Sequence, residues 1–417
     1  MTSQESSSYE ASAAGAASSL PLAGIRVVEF THMVMGPTCG MVLADLGAEV
    51  IKIEPVTGDN TRRLLGSGAG FFANFNRNKK SILLNLQTEE GKRIAHDLIA
   101  TADIVTENFK PGTMDKLGLG YAALSQQFPR LIFVSMKGFL PGPYANRTAL
   151  DEVVQMMGGL AYMTGPVGQP LRAGTSVNDI MGGLFGALGA MAALRSREQT
   201  GRGQEVQSAL FENNIFLVGQ HMMQYAVTGT AAAPMPSRIS SWGVYDVFTV
   251  KDGEQIFLAV VTDTSWKIFC DEFGFHDLKA DSRIETNNQR VQSRDWLLPE
   301  LRQRLAQFSA QELADRFEKN GLPFAPIRKP HELMDDPHLV ATGGLASIHI
   351  PDPQGDRVTG VTPLLPFTLD GERLGVRTSP PVMGEHTKEI LSALGYSEES
   401  ITALIQQGVV ATDHGKS

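Results

Sequence analysis

The stretch GIRVVEF, Gly24 to Phe30, leads through MVLADL, Met41 to Leu46, into EVIKIE, Glu49 to Glu54. The outer two are β-branched runs of strand length, and the middle one reads as a helix stopped by Gly47, a residue suited to helix ends. Strand, helix and strand in so short a span form a βαβ unit, which requires the two strands to run parallel. Downstream, Ser81 to Leu84, Asp103 to Thr106 and Leu131 to Ser135 repeat the strand signal, with a helical Thr88 to Ala102 among them. This alternation predicts an α/β fold with a doubly wound, Rossmann-like large domain.

The long helix that follows carries too many glycines. DIMGGLFGALGAMAALRSRE, Asp179 to Glu198, is helical in pattern yet contains Gly182, Gly183, Gly186 and Gly189. Each glycine inside a helix costs up to about 1 kcal/mol relative to alanine, so something must pack very close. TGRGQ, Thr200 to Gln204, then breaks the helix, and GTAAAPMP, Gly229 to Pro236, reads as a linker. Beyond it, Tyr245 to Val250 and Gln255 to Val261 flank the turn Lys251-Asp252-Gly253, a hairpin signal. Helices are expected at Thr264 to Phe273 and Ala310 to Asn320. The chain thus divides into a disordered tail at 1–21, a large α/β domain at 22–225 and a linker at 226–241. A small α+β domain at 242–339 and a segment at 340–417 that returns to the large domain complete it.

Composition bounds the function. A chain of 417 residues, 42% hydrophobic and 19% charged, can bury more than one core. A net charge of −9 argues against nucleic acid as a partner. Cys39 and Cys270 are the only cysteines and belong to no CxxC or Cys/His cluster, so neither a disulfide framework nor a metal site is expected. The first twenty residues hold no Lys or Arg, unlike a secretory or transit signal. No uninterrupted apolar run reaches the ~20 residues of a membrane span. A cytoplasmic protein without a membrane partner is expected.

Phe30 is followed by THMVMGP instead of GxGxxG, and GxxxxGK[ST], HExxH and GxSxG are all missing. Several large enzyme classes are thereby set aside. The strongest single candidate is Asp179, which ends the polar turn Gly174 to Asn178 and opens the glycine-rich helix. Aspartate is a preferred N-cap, and local sequence favours that role. In the alternative, the glycines let a substrate or a neighbouring backbone approach a carboxylate at the positive end of a helix. With an ordinary pKa of about 4 it needs no deprotonation at pH 7 and can attack an acyl carbon as a covalent nucleophile.

Several segments together resemble the family III CoA transferases, the formyl-CoA and carnitine CoA-transferase group. They include LAGIRVVEFTHMVMGP at Leu22 to Pro37, LADLGAEVIKIEPVTGDNTR at Leu43 to Arg62 and NRNKKSILLNL at Asn76 to Leu86. ENFKPGTMDKLGLGY at Glu107 to Tyr121, ALDEVVQMMGGL, RAGTSVNDIMGGL, TGRGQEVQSALFE and PVMGEHTKEILSALGY continue the likeness in the family's order. The resemblance implies that Asp179 is the nucleophile and that a coenzyme A thioester is substrate, with no tightly bound cofactor. It implies an interlocked homodimer, and a small carboxylic acid as the other substrate.

The resemblance also implies CoA contacts at Met33, Val34 and Met35, at Leu84 and Asn85, at Asn108, Phe109 and Lys110, and at Lys116. Read without it, Lys110 and Lys116 are solvated loop residues and Phe109 a core aromatic. Pro55 and Gln87 stand where some members carry basic residues, and Arg147 is the expected replacement. Asp151 lies where some members have a glutamate facing the reactive centre; it either orients an acceptor or caps the helix of EVVQMM. His32, His221 and His386 read as packing or hydrogen-bonding residues. Arg238 and Trp242 are expected to meet a dicarboxylic substrate, because an arginine grips a carboxylate in bidentate fashion; a surface salt bridge explains Arg238 equally well. Succinyl-CoA is the expected donor. The related α-methylacyl-CoA racemases place a histidine in GHD, where this chain has Ala149-Leu150-Asp151. Leucine moves no proton, which favours transfer over racemisation. A non-catalytic acyl-CoA-binding protein is the remaining alternative.

Overall fold

The computed structural model describes residues 20–238, 240–351 and 357–412, so most of the expected tail lies outside the described residues. By its contacts the chain divides into two units, Met1–Pro236 with Pro337–Ser417, and Ser237–Asp336.

The first unit is built on β1 (Arg26–Phe30), β2 (Glu49–Glu54), β3 (Lys79–Leu84), β4 (Ile104–Glu107), β5 (Ile132–Lys137) and β6 (Glu205–Ala209). Successive side chains of a strand point to opposite faces. Val27, Val50, Ile104 and Ile132 accordingly enter one core cluster, while Val28, Ile51, Val105 and Phe133 enter another. Strands buried on both faces read as unbroken apolar runs, which is why the sequence showed them. β6 escaped notice because Glu205 and Gln207 are exposed and leave no such run.

The six strands pair in parallel in the order β3-β2-β1-β4-β5-β6, with Val410–Ala411 antiparallel beside β3. The helices Met35–Asp45 and Val177–Thr200 cover one face; Glu89–Ala100, Thr387–Ala393 and Glu398–Gln406 cover the other. Strand order reverses between β1 and β4. In such sheets a crevice opens there, beyond the carboxyl ends of the strands.

The helix expected at Met41 to Leu46 begins earlier, at Met35, and is buried along its whole length. Pro37 falls in its first turn, where a missing N–H costs nothing. A Cβ at Gly40 would fall on the Glu29 carboxylate. The glycine-rich helix Val177–Thr200 lies against this one. A Cβ at Gly183 would stand 2.5 Å from the Met35 carbonyl oxygen and 2.6 Å from Thr38 Cβ. The close neighbours that the glycines admit are therefore the buried helix, at Gly182, Gly183 and Gly186, and Val206 of β6, at Gly189. By length and composition alone Val177–Thr200 would also pass for a membrane span; packing of its small residues accounts for that composition.

The second unit holds an antiparallel sheet of Val244–Thr249, Gln255–Val260 and Phe324–Pro326. Its hairpin turns at Lys251–Gly253, where Asp252 and Gly253 take φ of 60° and 79°. Helices Asp263–Phe273, Arg294–Leu305 and Ala310–Lys319 pack a core around Trp266, Phe269 and Phe317.

Candidate active site

A cavity of about 860 Å³ opens at the carboxyl ends of the parallel strands, within the size range of small-molecule sites. β1 delivers His32 and Met33, and the helix after it Met35. β2 delivers Glu54 to Val56, β3 Leu84 to Gln87, and β4 Asn108 to Pro111. β5 delivers Met136 to Gly138, and the loop and helix beyond it Asn146 to Asp151 and then Asp179. Of the residues expected to bind or react, Met33, Met35, Leu84, Asn85 and Asn108 line this one cavity, as do Phe109, Lys110, Arg147, Asp151 and Asp179. Pro55 and Gln87 line it too. Val34 is buried beneath it, where its carbonyl accepts from Thr38. Lys116 ends the short helix Thr113–Lys116 in solvent, outside the lining. Arg238 and Trp242 belong to the second unit; Arg238 is exposed there, and Trp242 meets the Tyr245 ring at a tilt, with centroids 4.8 Å apart.

Asp179 is not the N-cap that local sequence favoured. The helix begins at Val177, the cap position falls on Ser176, and Asp179 sits third in the first turn. Its carboxylate is half-buried in the cavity wall and, among the described residues, accepts no hydrogen bond. Burial, with the negative charge of Asp151 added, pushes its pKa up to about 7, against a smaller opposing pull from Arg172. The expectation that it needs no deprotonation at pH 7 is thereby corrected.

The cap comes from the neighbouring helix. Asp151 is the first residue of Asp151–Met157, whose own cap position is Leu150, so it does not cap EVVQMM as proposed. One oxygen of Asp151 accepts the backbone N–H of Asn178 at 2.7 Å and, more weakly, that of Asp179 at 3.4 Å. The other accepts from Gln155 Nε2 at 2.5 Å. Gln155 in turn accepts the Ala173 N–H at 2.7 Å. Capping from outside satisfies the open N–H groups of a helix start and frees the carboxylate of Asp179 from that duty. Arg172 lies 4.0 Å from Asp151 and pairs closely with Glu152.

At the other side of the crevice, Asn108 joins the two central strands. Its Oδ1 accepts the His32 N–H at 3.0 Å, and its Nδ2 donates to the His32 carbonyl at 2.9 Å. His32 Nδ1 stands 3.1 Å from the same oxygen and its ring meets Phe109 edge-on, which makes it a hydrogen-bonding residue, as expected. Phe109 is half-buried against the core as well as lining the cavity. Arg147 lies over the Tyr144 ring at 4.9 Å. Sequence reading missed Lys137, which donates to Glu107 at 2.6 Å and to the Phe109 carbonyl at 2.7 Å from within the lining. A lysine closing the apolar strand LIFVSM was the available signal. Gln155 and Arg172 were missed too, since nothing local marks either as facing Asp151.

The chain matches the family described as CoA-transferase family III over residues 22–387. It is 32% identical over 409 residues to a succinyl-CoA--L-malate CoA-transferase beta subunit of Chloroflexus aurantiacus, covering 95% of this chain and 100% of that protein. With a succinyl-CoA:glutarate CoA-transferase of Mus musculus the identity is 31% over 398 residues, covering 94% and 90%. A solved CAIB/BAIF family protein from Brucella suis matches at a TM-score of 0.80 and 33% identity, over 90% of this chain and 99% of that one. A match so nearly end to end, on a cavity lined from the ends of β1 to β5, makes this chain a member of CoA-transferase family III, an enzyme that transfers coenzyme A.

Proposed function

We propose that this enzyme moves coenzyme A from a dicarboxylic acyl-CoA, succinyl-CoA foremost, to a small carboxylic acid through acyl adducts on Asp179. The observation that carries the reading is the state of that side chain. It is a cavity-lining carboxylate relieved of capping, without a hydrogen-bond partner among the described residues, and raised in pKa. A carboxylate that burial destabilises gains most from forming a neutral ester or anhydride.

An Asp179 oxygen attacks the donor thioester carbon; the C–S bond breaks, giving a mixed anhydride and CoA thiolate. The thiolate attacks the Asp179 carbonyl carbon, its bond to the bridging oxygen breaks, and the donor acid leaves as carboxylate from an aspartyl-CoA thioester. The acceptor carboxylate attacks that thioester and expels the thiolate again, forming a second anhydride. Attack of the thiolate on the acceptor acyl carbon yields the new acyl-CoA and restores Asp179. Each intermediate is an activated acyl group, so no ATP is consumed. The names of relatives that use succinyl-CoA with malate, glutarate or citramalate support a dicarboxylate reading. With acyl-CoA but no acceptor, mass spectrometry should find an acyl or CoA adduct on Asp179, labile to hydroxylamine. Asp179→Ala should lose the adduct and reduce exchange by about a thousandfold or more; exchange at the parental rate would overturn the mechanism.

The functional unit is a homodimer. Leu188, Phe216, Met222 and Met223 are exposed on the helices Val177–Thr200 and Leu210–Thr228, an apolar face of the kind that a partner covers. Light scattering should return a dimer mass, and a stable monomer with full activity refutes it.

A further inference from the structure

We infer that Thr61 is a positioning residue for CoA transfer: its hydroxyl holds Met33 in a left-handed backbone conformation and so fixes the cavity wall beside Asp179. The motif GDNTR, Gly58 to Arg62, has no part in the chemistry proposed above, yet it reaches the cavity through this contact.

Met33 has a φ of 64°, a conformation in which a long side chain is strained and which persists only where surroundings impose it. Its N–H donates to Thr61 Oγ1 at 2.9 Å. The Thr61 hydroxyl donates to Asp59 Oδ1 at 2.7 Å, and the Thr61 N–H reaches the same oxygen at 2.8 Å. With its proton committed to Asp59, the hydroxyl has only a lone pair to offer Met33, and its direction is fixed. Asp59 is held in turn by Lys52 at 3.1 Å, and Lys52 donates to the Thr31 carbonyl at 2.6 Å. On the far side Lys79 pairs with Glu29 at 2.9 Å and donates to the Pro37 carbonyl at 2.9 Å. Asp59, Thr61, Lys52, Lys79 and Glu29 are all buried.

The turn from Thr31 to Pro37 is thus tied at its start, its strained apex and its end. Buried ion pairs seldom stabilise a fold more than apolar packing of the same volume, so the gain here lies in geometry. The turn matters because it contains Met35. The Met35 carbonyl is pressed against Gly183, one helical turn beyond Asp179. If Met33 relaxes, Met35 moves against the helix that carries the reacting carboxylate.

The inference rests on the Asp179 reading only for what the wall is positioned against. Thr61→Val keeps the shape and removes the hydroxyl. Its kcat for CoA exchange should fall between about tenfold and about a hundredfold, the scale of a misplaced reacting group, with a smaller change in KM for acyl-CoA. Thr61→Ser should restore it. A merely structural role predicts a lower Tm with kcat unchanged below the transition. In a Met33→Gly background, where positive φ carries no penalty, Thr61→Val should cost much less. If Thr61→Val fails to fold, Thr61→Ala is read in its place against Thr61→Ser. A kcat within about twofold of the parent, on the tenfold scale just set, overturns the inference, as does an equal cost in both backgrounds. CoA exchange is read whichever side chain carries the acyl group. Loss of the Asp179 adduct claim would therefore leave this result standing, and the reverse.

Discussion

Asp151 and Asp179 each lie in the first turn of a helix and each follows a polar or glycine-bearing loop, yet the fold gives them opposite circumstances. Asp151 is buried and accepts from Asn178 and from Gln155. Asp179 accepts nothing among the described residues and faces the cavity. The first spends its charge on the N-terminus of the second's helix. Hydrogen bonds to a carboxylate favour its charged form, whereas burial without them disfavours it. The two roles are complementary, because a helix start without its own side-chain cap still needs an acceptor, and Asp151 supplies it from outside.

That contrast can be broken most decisively by pH. With the pKa of Asp179 at about 7, the fraction ready to attack falls about tenfold for each unit below that value. The rate of adduct formation in the first half-reaction should follow it, rising through about 7 to a plateau; a flat profile down to pH 5 would show Asp179 to be an ordinary exposed carboxylate. The same shift works against stability. Between the ordinary carboxylate range and about 7 the folded chain keeps a proton that the unfolded chain has released, so stability falls as pH rises through that window.

A smaller effect sharpens the comparison. Asp151→Asn removes the negative charge but keeps an oxygen for the Asn178 N–H. The midpoint of the pH profile should therefore move down, toward the usual carboxylate range. Stability should drop by about 1 kcal/mol, since the new amide faces Gln155 Nε2 and loses that hydrogen bond. A midpoint left in place would mean that burial alone sets the pKa of Asp179.

Much of the molecule was legible beforehand. The β-branched runs in GIRVVEF, EVIKIE and LIFVS marked central parallel strands because both of their faces are buried. The excess glycine after Asp179 correctly announced a close approach, made by Met35 and Thr38 at Gly183 and by Val206 at Gly189. β6 was illegible because its outward residues are polar. The start of the buried helix at Met35 was illegible because Gly36, Pro37 and Gly40 disfavour helix locally and are tolerated only by tertiary packing.

By itself the sequence determined the parallel α/β order, the family and the identity of the candidate carboxylate, since these rest on periodicity and on motifs that survive without coordinates. Only the tertiary structure decided which aspartate caps and which is left without a hydrogen bond in the cavity wall, and which polar residues reach the strained turn at Met33. Those depend on where N–H groups of distant segments point, as when Asp151 meets Asn178 or Thr61 meets Met33. Hydrogen bonds are directional and act over a few ångströms, so no local pattern records them.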